Sequence, residues 1–231
     1  MVWKDFFKNK YIMLEISNVK VYDLKESVIA CRNAMRTEMP EYTIEEFKKS
    51  LERAKTLAKC GGGSGHSNFR KGIRVSFDIK YPNYISPELQ RYGFVDIVSS
   101  SSKMHRLMEM DLDFACNKYV PQIFIDEMRK LVDGYKLIKN NIEHFKGKYV
   151  LRDGTKISIN NKQEALYYAF MQCISACPQG IELFMRCSTN YEQLATIYRQ
   201  RKNHKLKEDW GAFCDFIKSL PYSKELITLE D

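Results

Sequence analysis

The chain has 231 residues, 44% of them hydrophobic, which supplies apolar side chains for one large domain or two small ones. Lys and Arg total 37 against 29 acidic residues, so the formal net charge of +8 favours anionic partners such as nucleotides or nucleic acid. No apolar run reaches the about 18 residues of a membrane span, and lysines interrupt the N-terminal MVWKDFFKNKYIM. We therefore expect a cytoplasmic protein with no membrane partner. Seven cysteines without a framework spacing predict reduced, mostly buried thiols.

The first elements are marked by β-branched residues and capping boxes. LEISNVKVYD (14–23) is typical of a strand. Asp23 and Glu26 are spaced as a capping box, and apolar residues at helical spacing follow as far as Met35. A second capping box, Thr43 and Glu46, predicts a helix from 44 to about 59.

A glycine-rich segment, CGGGSGHSNF (60–69), precedes the clearest strand pattern in the chain. Its backbone N–H groups could approach a phosphate, but it matches no P-loop and precedes a strand, so a plain connector is the alternative. Apolar and polar residues then alternate from 73 to 80, which predicts a half-buried strand ending at Pro82. SPELQRY (86–92) suits a helical turn because Pro87 fits a first helical position.

The C-terminal half predicts further helices and one hairpin. Asp153-Gly154 lies between β-rich runs in YVLRDGTKISI, which predicts a hairpin over 149–159. Helical stripes and prolines predict four helices: 121–141 (with a buried stripe of Phe124, Met128, Leu131 and Tyr135), 162–177, 189–201 (capped by Ser188 or Thr189) and 205–219. We expect one α+β domain over 1–231, whose central mixed or antiparallel sheet contains strand 73–80 and the hairpin and is flanked by helices.

The residues offer few signs of covalent catalysis. His66 after the glycines is as compatible with a structural role as with a functional one. Cys173 and Cys177 share a helix face, but no second ligand pair accompanies them, so buried thiols are favoured over a metal site. Cations at the end of helix 189–201, among them Arg201 beside His204, either complement the helix dipole or form a guanidinium fork for a phosphate or pyrimidine.

The stretch RYGFVDIVSSSSKMHR (91–106) places serines beside cations. It is either a solvated serine loop or an anion pocket, formed by Ser99 to Lys103, in which hydroxyls and backbone N–H groups meet a phosphate.

Two blocks of the sequence resemble the flavin-dependent thymidylate synthase (ThyX) family. In the first block, Gly65-His66 enters strand 73–80, and Arg91 stands nine residues after Pro82. Ser101 follows ten residues later and is followed by Lys103, an altered form of the family's R-H-R-x7-S-x-R motif.

The second block keeps the family's order after Pro178. Ser188-Thr189-Asn190 open a helix that ends in Gln200-Arg201, with His204 and Trp210 beyond it. The match spans residues 14 to 219 loosely.

The chain also departs from the family's pattern. Tyr92-Gly93 stand where the family has His-Arg, and Lys103 stands where it has arginine. Glu192 replaces the arginine after Asn190, and the helix before Pro178 shows Ile174 and no arginine.

The resemblance implies the family's fold and reductive methylation of dUMP, or a related modification of a pyrimidine deoxynucleotide such as hydroxymethylation. It implies FAD, NADPH and methylenetetrahydrofolate as cofactors and partners, and a homotetramer with sites between subunits. The implied site residues are Arg201 and Ser101 for catalysis, Ser99, Ser100, Ser101, Lys103 and Arg201 for the nucleotide, and His66, Arg91, Asn190 and His204 for the flavin.

Two alternatives stay open. The chain could keep the fold as a non-catalytic nucleotide-binding protein that has lost flavin chemistry. It could also be a nucleic-acid-binding module, which the charge permits but no motif supports.

Overall fold

A computed structural model describes residues 14–60, 64–141 and 146–230. The N-terminal segment 1–13 and the glycines Gly61 to Gly63 of the predicted loop lie outside the described residues. The chain divides into two compact units. The sheet unit holds the described residues up to Tyr81, Ile85–Ser100 and those from Phe184 onward. The hairpin unit holds Pro82–Tyr84 and the described residues of Ser101–Leu183.

The strands are β1 Glu15–Tyr22, β2 Arg74–Pro82, β3 Asp96–Ser100, β4 Gly147–Val150, β5 Lys156–Ile159 and β6 Glu182–Asn190. The α-helices are α1 Leu24–Ala30, α2 Ile44–Ala58, α3 Phe69–Gly72, α4 Ser86–Gln90, α5 Lys103–Arg106, α6 Leu112–Ala115, α7 Gln122–Asn141, α8 Lys162–Ala176, α9 Tyr191–Arg201 and α10 Lys207–Ser219. A π-helical turn, Lys224–Thr228, follows α10.

A four-stranded sheet in the order β1-β2-β6-β3 forms the centre of the sheet unit. β1 pairs antiparallel with β2, and β3 pairs antiparallel with β6. The predicted strands 14–23 and 73–80 are confirmed as β1 and β2. The alternation on β2 has its expected effect, since Val75, Phe77 and Ile79 are all buried. Phe77 packs against Phe213 and Phe216 of α10, with ring centroids 6.0 and 4.9 Å apart.

Apart from Phe184, the outward-facing residues of β2 and β6 are polar, and some form ion pairs across strands. Arg74 lies 3.1 Å from Asp96 of β3, and Arg186 of β6 lies 3.1 Å from Asp78 of β2. Ser188 accepts a hydrogen bond from Arg74 at 3.2 Å. Because one face is apolar and the other polar, the register of these strands is well specified.

The helix starts of the sheet unit agree with the sequence in one case and correct it in another. Thr43 caps α2 by accepting the backbone N–H of Glu46 at 3.1 Å, so the predicted helix over 44 to about 59 is confirmed. The capping box at Asp23 is wrong, because Asp23 adopts a left-handed conformation (φ 56°) and makes no side-chain cap. The helix after it ends at Ala30, well before Met35.

The hairpin unit contains the predicted hairpin as β4 and β5, paired antiparallel. Gly154 in its turn has φ 86°, a conformation that favours glycine, and Asp153 accepts the backbone N–H of Thr155 at 2.9 Å. The expectation that this hairpin joins the sheet of strand 73–80 is wrong. β4 and β5 form a separate two-stranded sheet.

α7 and α8 contribute to the core of the hairpin unit and confirm the helices predicted over 121–141 and 162–177. The buried face of α7 consists of Ile125, Met128 and Val132. Of the expected buried stripe, Met128 is buried and Leu131 and Tyr135 are partly buried against this core, whereas Phe124 is 59% exposed and Ile125 takes its place.

Two strands and one helix cap were not foreseen. β3 replaces part of the expected serine loop, and β6 precedes α9 where we expected the cap region. The N-cap of α9 is Asn190, which accepts the backbone N–H of Gln193 at 2.9 Å, in place of Ser188 or Thr189.

The fold class is therefore α+β, with an antiparallel sheet flanked by helices, as the sequence predicts. Within the described residues, no helix has the length and apolar character to cross a membrane. The single domain over 1–231 stays a prediction.

Candidate functional site

The two sequence blocks that carry the resemblance are in direct contact in the sheet unit. Tyr92, just after Arg91, accepts a hydrogen bond on its hydroxyl from Nε of Arg201 at 2.7 Å. The same hydroxyl donates to Oε1 of Gln200 at 3.0 Å. Residues 109 positions apart in the chain thus form one hydrogen-bonded cluster at the C-terminal end of α9.

Glu88 of α4 is the acceptor at the centre of this cluster. Its Oε2 accepts from Nη1 of Arg201 at 2.8 Å and from Nε1 of Trp210 at 2.8 Å. Nε2 of His204 lies 3.8 Å from the same oxygen. We call Glu88, Tyr92, Arg201, His204 and Trp210 the Glu88 cluster. Two hydrogen bonds to one carboxylate oxygen hold α4 to α9 and α10.

Aromatic rings enclose the guanidinium of Arg201. Its Cζ lies 4.2 Å from the centroid of the Trp210 ring and 5.5 Å from that of Tyr92. The Arg201 side chain is only 14% exposed. A planar guanidinium stacked on indole and paired with a carboxylate is strongly held, because both interactions gain from exclusion of water.

This environment makes Arg201 part of the packing of the sheet unit. A surface guanidinium that binds only a ligand could be removed with little effect on stability. Because Arg201 is paired with Glu88 and stacked on Trp210, its replacement by Ala leaves the Glu88 carboxylate without its guanidinium partner and the Tyr92 hydroxyl without its donor. We therefore expect Arg201→Ala to lower the melting temperature.

Two of the residues assigned to flavin binding already bond to the protein. Asn190 is buried and uses Oδ1 to cap α9. Nδ1 of His204 accepts the backbone N–H of Leu206 at 3.2 Å, which places the proton of the neutral imidazole on Nε2, facing Glu88. Asn190 thus caps the start of α9, and His204 lies in the segment between α9 and α10.

The other two, His66 and Arg91, are exposed in the sheet unit. The backbone N–H of His66 donates to the Ser64 hydroxyl at 3.4 Å, and Arg91 follows the last residue of α4. Their side chains are accessible to an anionic ligand.

The serine stretch crosses from one unit to the other. Ser99 and Ser100 are exposed residues of β3 that pair with Arg186 and Met185 in β6. Ser101 and Lys103 belong to the hairpin unit, where Lys103 begins α5 and is partly exposed. The expected loop is thus partly a strand, and the anion pocket over Ser99 to Lys103 stays a prediction.

The thiols are poorly suited to nucleophilic catalysis. All seven cysteines are unpaired. Burial raises the pKa of Cys187 to about 12 and the pKa values of Cys116 and Cys173 to about 11. Burial also raises the pKa of Cys177, an effect that the positive charge of Lys103 partly offsets. In the described part of the chain, no group of three His, Cys, Asp or Glu residues could hold a metal ion.

The architecture described above has counterparts among solved structures. The chain is similar to a crystal structure of the flavin-dependent thymidylate synthase ThyX from Helicobacter pylori complexed with FAD and dUMP. That match has a TM-score of 0.60 at 16% identity and covers 93% of this chain and 98% of the other. A second structure of Helicobacter pylori ThyX with FAD and dUMP matches with a TM-score of 0.56 at 15% identity, over 94% and 98% of the two chains. No model of a known protein family matches the chain, and no curated protein matches its sequence.

The residues fit these two ligands unequally. The exposed His66 and Arg91 can meet the phosphates of FAD. At Arg201, a nucleotide would compete with Glu88 and Tyr92, which already occupy Nη1 and Nε.

Glu88 is the member of the cluster that sequence reasoning missed. Its only signal is its position in the first turn of α4, three residues before Arg91. Its partners come from α9 and α10, which are more than 110 residues away.

Proposed function

We propose that this protein binds FAD and a pyrimidine deoxynucleotide such as dUMP. We further propose that it uses them in reductive methylation, or a related one-carbon modification such as hydroxymethylation, of the pyrimidine. One observation carries the proposal: Tyr92 and Arg201, from the two blocks that resemble the ThyX family, are hydrogen-bonded to each other. The similarity in fold to ThyX structures that contain FAD and dUMP supports it.

Each residue has a defined task in this proposal. His66 and Arg91 hold the flavin phosphates, while Asn190 and His204 fix the two ends of α9 beside it. Ser99, Ser100 and Ser101 offer hydroxyl donors, and Lys103 supplies a positive charge to the nucleotide phosphate. Arg201 orients the pyrimidine once Glu88 releases it. FAD, reduced by NADPH, supplies the hydride when bound, and methylenetetrahydrofolate supplies the carbon.

A second candidate function is supported by the Glu88 cluster. The chain could bind a nucleotide without turnover, because Arg201 has a carboxylate partner within the protein and Tyr92-Gly93 replace the family's His-Arg. A binding protein needs the charge of Lys103 and the exposed Arg91 but does not need Arg201 to reach a substrate.

Ligand binding and turnover, measured separately, distinguish the two candidates. Titration of FAD, followed by flavin fluorescence, tests cofactor binding, and calorimetric titration of dUMP tests nucleotide binding. Incubation with NADPH, methylenetetrahydrofolate and dUMP, with mass spectrometry of the nucleotide, tests turnover. The enzyme proposal expects a nucleotide heavier by one methyl or hydroxymethyl group. Binding without product favours the second candidate, and a folded protein that binds neither ligand refutes both.

We also propose that the protein assembles as a homotetramer with sites shared between subunits. Light scattering on the purified chain tests this directly. A monomer mass at micromolar concentration would remove the shared-site arrangement.

A further inference from the structure

A second concave site lies in the sheet unit, beside the outer face of α9. It is a cavity of about 260 Å³ between the end of α2, the short helix α3, α9 and the residues that follow the π-helical turn. We call it the α9 cavity. Its volume is just below the range of roughly 300–1,000 Å³ for drug-sized ligands, so it suits a smaller molecule.

The α9 cavity is rich in positive charge. Four cationic side chains line it against one carboxylate, Glu192. Lys59 and Arg199 are exposed at the cavity, and Lys202 lies 3.3 Å from Glu230, which is not among the lining residues. The fourth cation, Arg70, is internally paired. A concave surface with an excess of cations raises the local concentration of anions.

The floor of the cavity is rigid. The Arg70 side chain is only 5% exposed and pairs with Glu192 through Nε and Nη2 at 2.7 and 2.6 Å. Its Nη1 donates to the backbone carbonyl of Leu226 at 3.2 Å. This pair joins α3, α9 and the C-terminal segment, so the cavity walls are held in place before a ligand arrives.

The remaining wall is apolar. Ala195 of α9, Ile227 and Leu229 line it, together with the buried Tyr198. Leu229 has φ 55°, a left-handed conformation that a leucine rarely adopts. It ends the π-helical turn, whose last hydrogen bond runs from the N–H of Leu229 to the carbonyl of Lys224 at 3.1 Å. The cavity therefore offers cations on one side and aliphatic carbon on the other.

This cavity is distinct from the Glu88 cluster. Glu192, Ala195 and Arg199 recur at helical spacing and share one face of α9. Arg201 comes nine residues after Glu192, about two and a half turns, and so lies on the opposite face. A ligand in the α9 cavity does not meet Arg201.

We propose that the α9 cavity binds a small phosphate monoester with an apolar body. Arg199 and Lys59 face the phosphate, because a guanidinium matches the geometry of phosphate oxygens and an ammonium adds charge. The apolar part lies against Ala195, Ile227 and Leu229. The proposal does not depend on FAD or dUMP binding and goes beyond it.

Cys60 gives a local readout, because this partly exposed thiol lines the cavity. The test is alkylation by iodoacetamide, quantified at each cysteine by peptide mass spectrometry, with phenyl phosphate as the probe. A few charge-assisted contacts give a dissociation constant of about 1 mM, so at about 2 mM we expect phenyl phosphate to slow alkylation of Cys60 about threefold. The partly exposed Cys31 and Cys177, outside the lining, are internal controls whose rates should not change.

Matched ligands and variants complete the test. Inorganic phosphate should protect less than phenyl phosphate, and phenol should not protect. Arg199→Ala should weaken phenyl phosphate binding about tenfold, whereas Lys48→Ala, on an exposed position of α2 outside the cavity, should leave it unchanged. Equal protection by phenol, equal slowing at Cys31, or binding unchanged in Arg199→Ala would each overturn the proposal.

Discussion

Glu88→Gln is the substitution that tests the Glu88 cluster most sharply. Glutamine keeps the shape of the side chain and an acceptor for the Trp210 N–H, but it removes the charge opposite Arg201. The guanidinium then stays between aromatic rings without a counter-ion. The cost depends on how far water can solvate it.

The exposed fractions of the Arg201 and Glu88 side chains place the loss of unfolding free energy between two known limits. Breaking a buried ion pair costs about 3–5 kcal/mol, and an exposed pair contributes about 0–1 kcal/mol. The Arg201 and Glu88 side chains are 14% and 26% exposed, closer to the buried case. We therefore expect Glu88→Gln to lower the free energy of unfolding by about 2–3 kcal/mol. For a chain of this size, the melting temperature should fall by about 4–12 °C.

The assay is urea unfolding followed by circular dichroism and by tryptophan fluorescence, to which Trp210 contributes. The midpoint should fall while the m-value stays constant, since the surface exposed on unfolding is unchanged. Glu52→Gln is the matched control, because Glu52 pairs with Lys55 at 2.8 Å but is 73% exposed. Its effect should stay within about 0.5 kcal/mol. If the two variants lose the same stability, the cluster does not hold α4 to α9.

Three further substitutions test other elements. Asn190→Ala removes the acceptor for the Gln193 N–H and should cost about 1 kcal/mol in urea unfolding, and a change below about 0.3 kcal/mol would contradict the cap. The Arg36 hydrogen bond holds the pKa of Glu46 below its ordinary 4.5, so the ionised Glu46 stabilises the folded state. This contribution is complete above pH 4.5 and is lost as the pH falls through the lower folded-state pKa. The free energy of unfolding of Glu46→Gln should therefore fall less steeply at acid pH than that of the wild type. Identical pH dependence of the two proteins would refute this role of Glu46. Gly154→Ala meets no atom within 4 Å of its new Cβ but must adopt φ 86°, so calorimetry should show a loss of about 1 kcal/mol, and an unchanged melting temperature would contradict the turn geometry.

Local sequence signals predicted the elements whose pattern and ends are both encoded nearby. The strict alternation over 73–80 predicted β2, and Thr43 with Glu46 predicted the start of α2. Asp153-Gly154 predicted the hairpin turn. In each case the decisive interactions lie within a few residues of the element.

The elements that escaped prediction depend on distant partners. β3 is a strand because it pairs with β6, although its serines favour a loop. The outward-facing Phe184 hides the alternation of β6, because it adds an apolar residue to the polar face.

The candidate site also combines residues that the sequence identified with an interaction that it did not reveal. Motif spacing identified Arg91 and Arg201 as members of two related blocks. The carboxylate that holds Arg201 lies 113 residues away in the chain, and no pattern in the sequence links the two. Sequence reasoning therefore found the site region without the interaction that controls it.

The central claim is that this fold binds a pyrimidine nucleotide, and calorimetric titration of dUMP into the FAD-loaded protein tests it most directly. We expect saturable binding that weakens with salt, because a point charge at Lys103 is screened by ions. Lys103→Ala should weaken binding by about 1.5–3 kcal/mol without changing the melting temperature, whereas Lys48→Ala should not affect binding. A folded protein that binds no dUMP, or a Lys103→Ala variant that binds it as tightly as the wild type, would contradict the account.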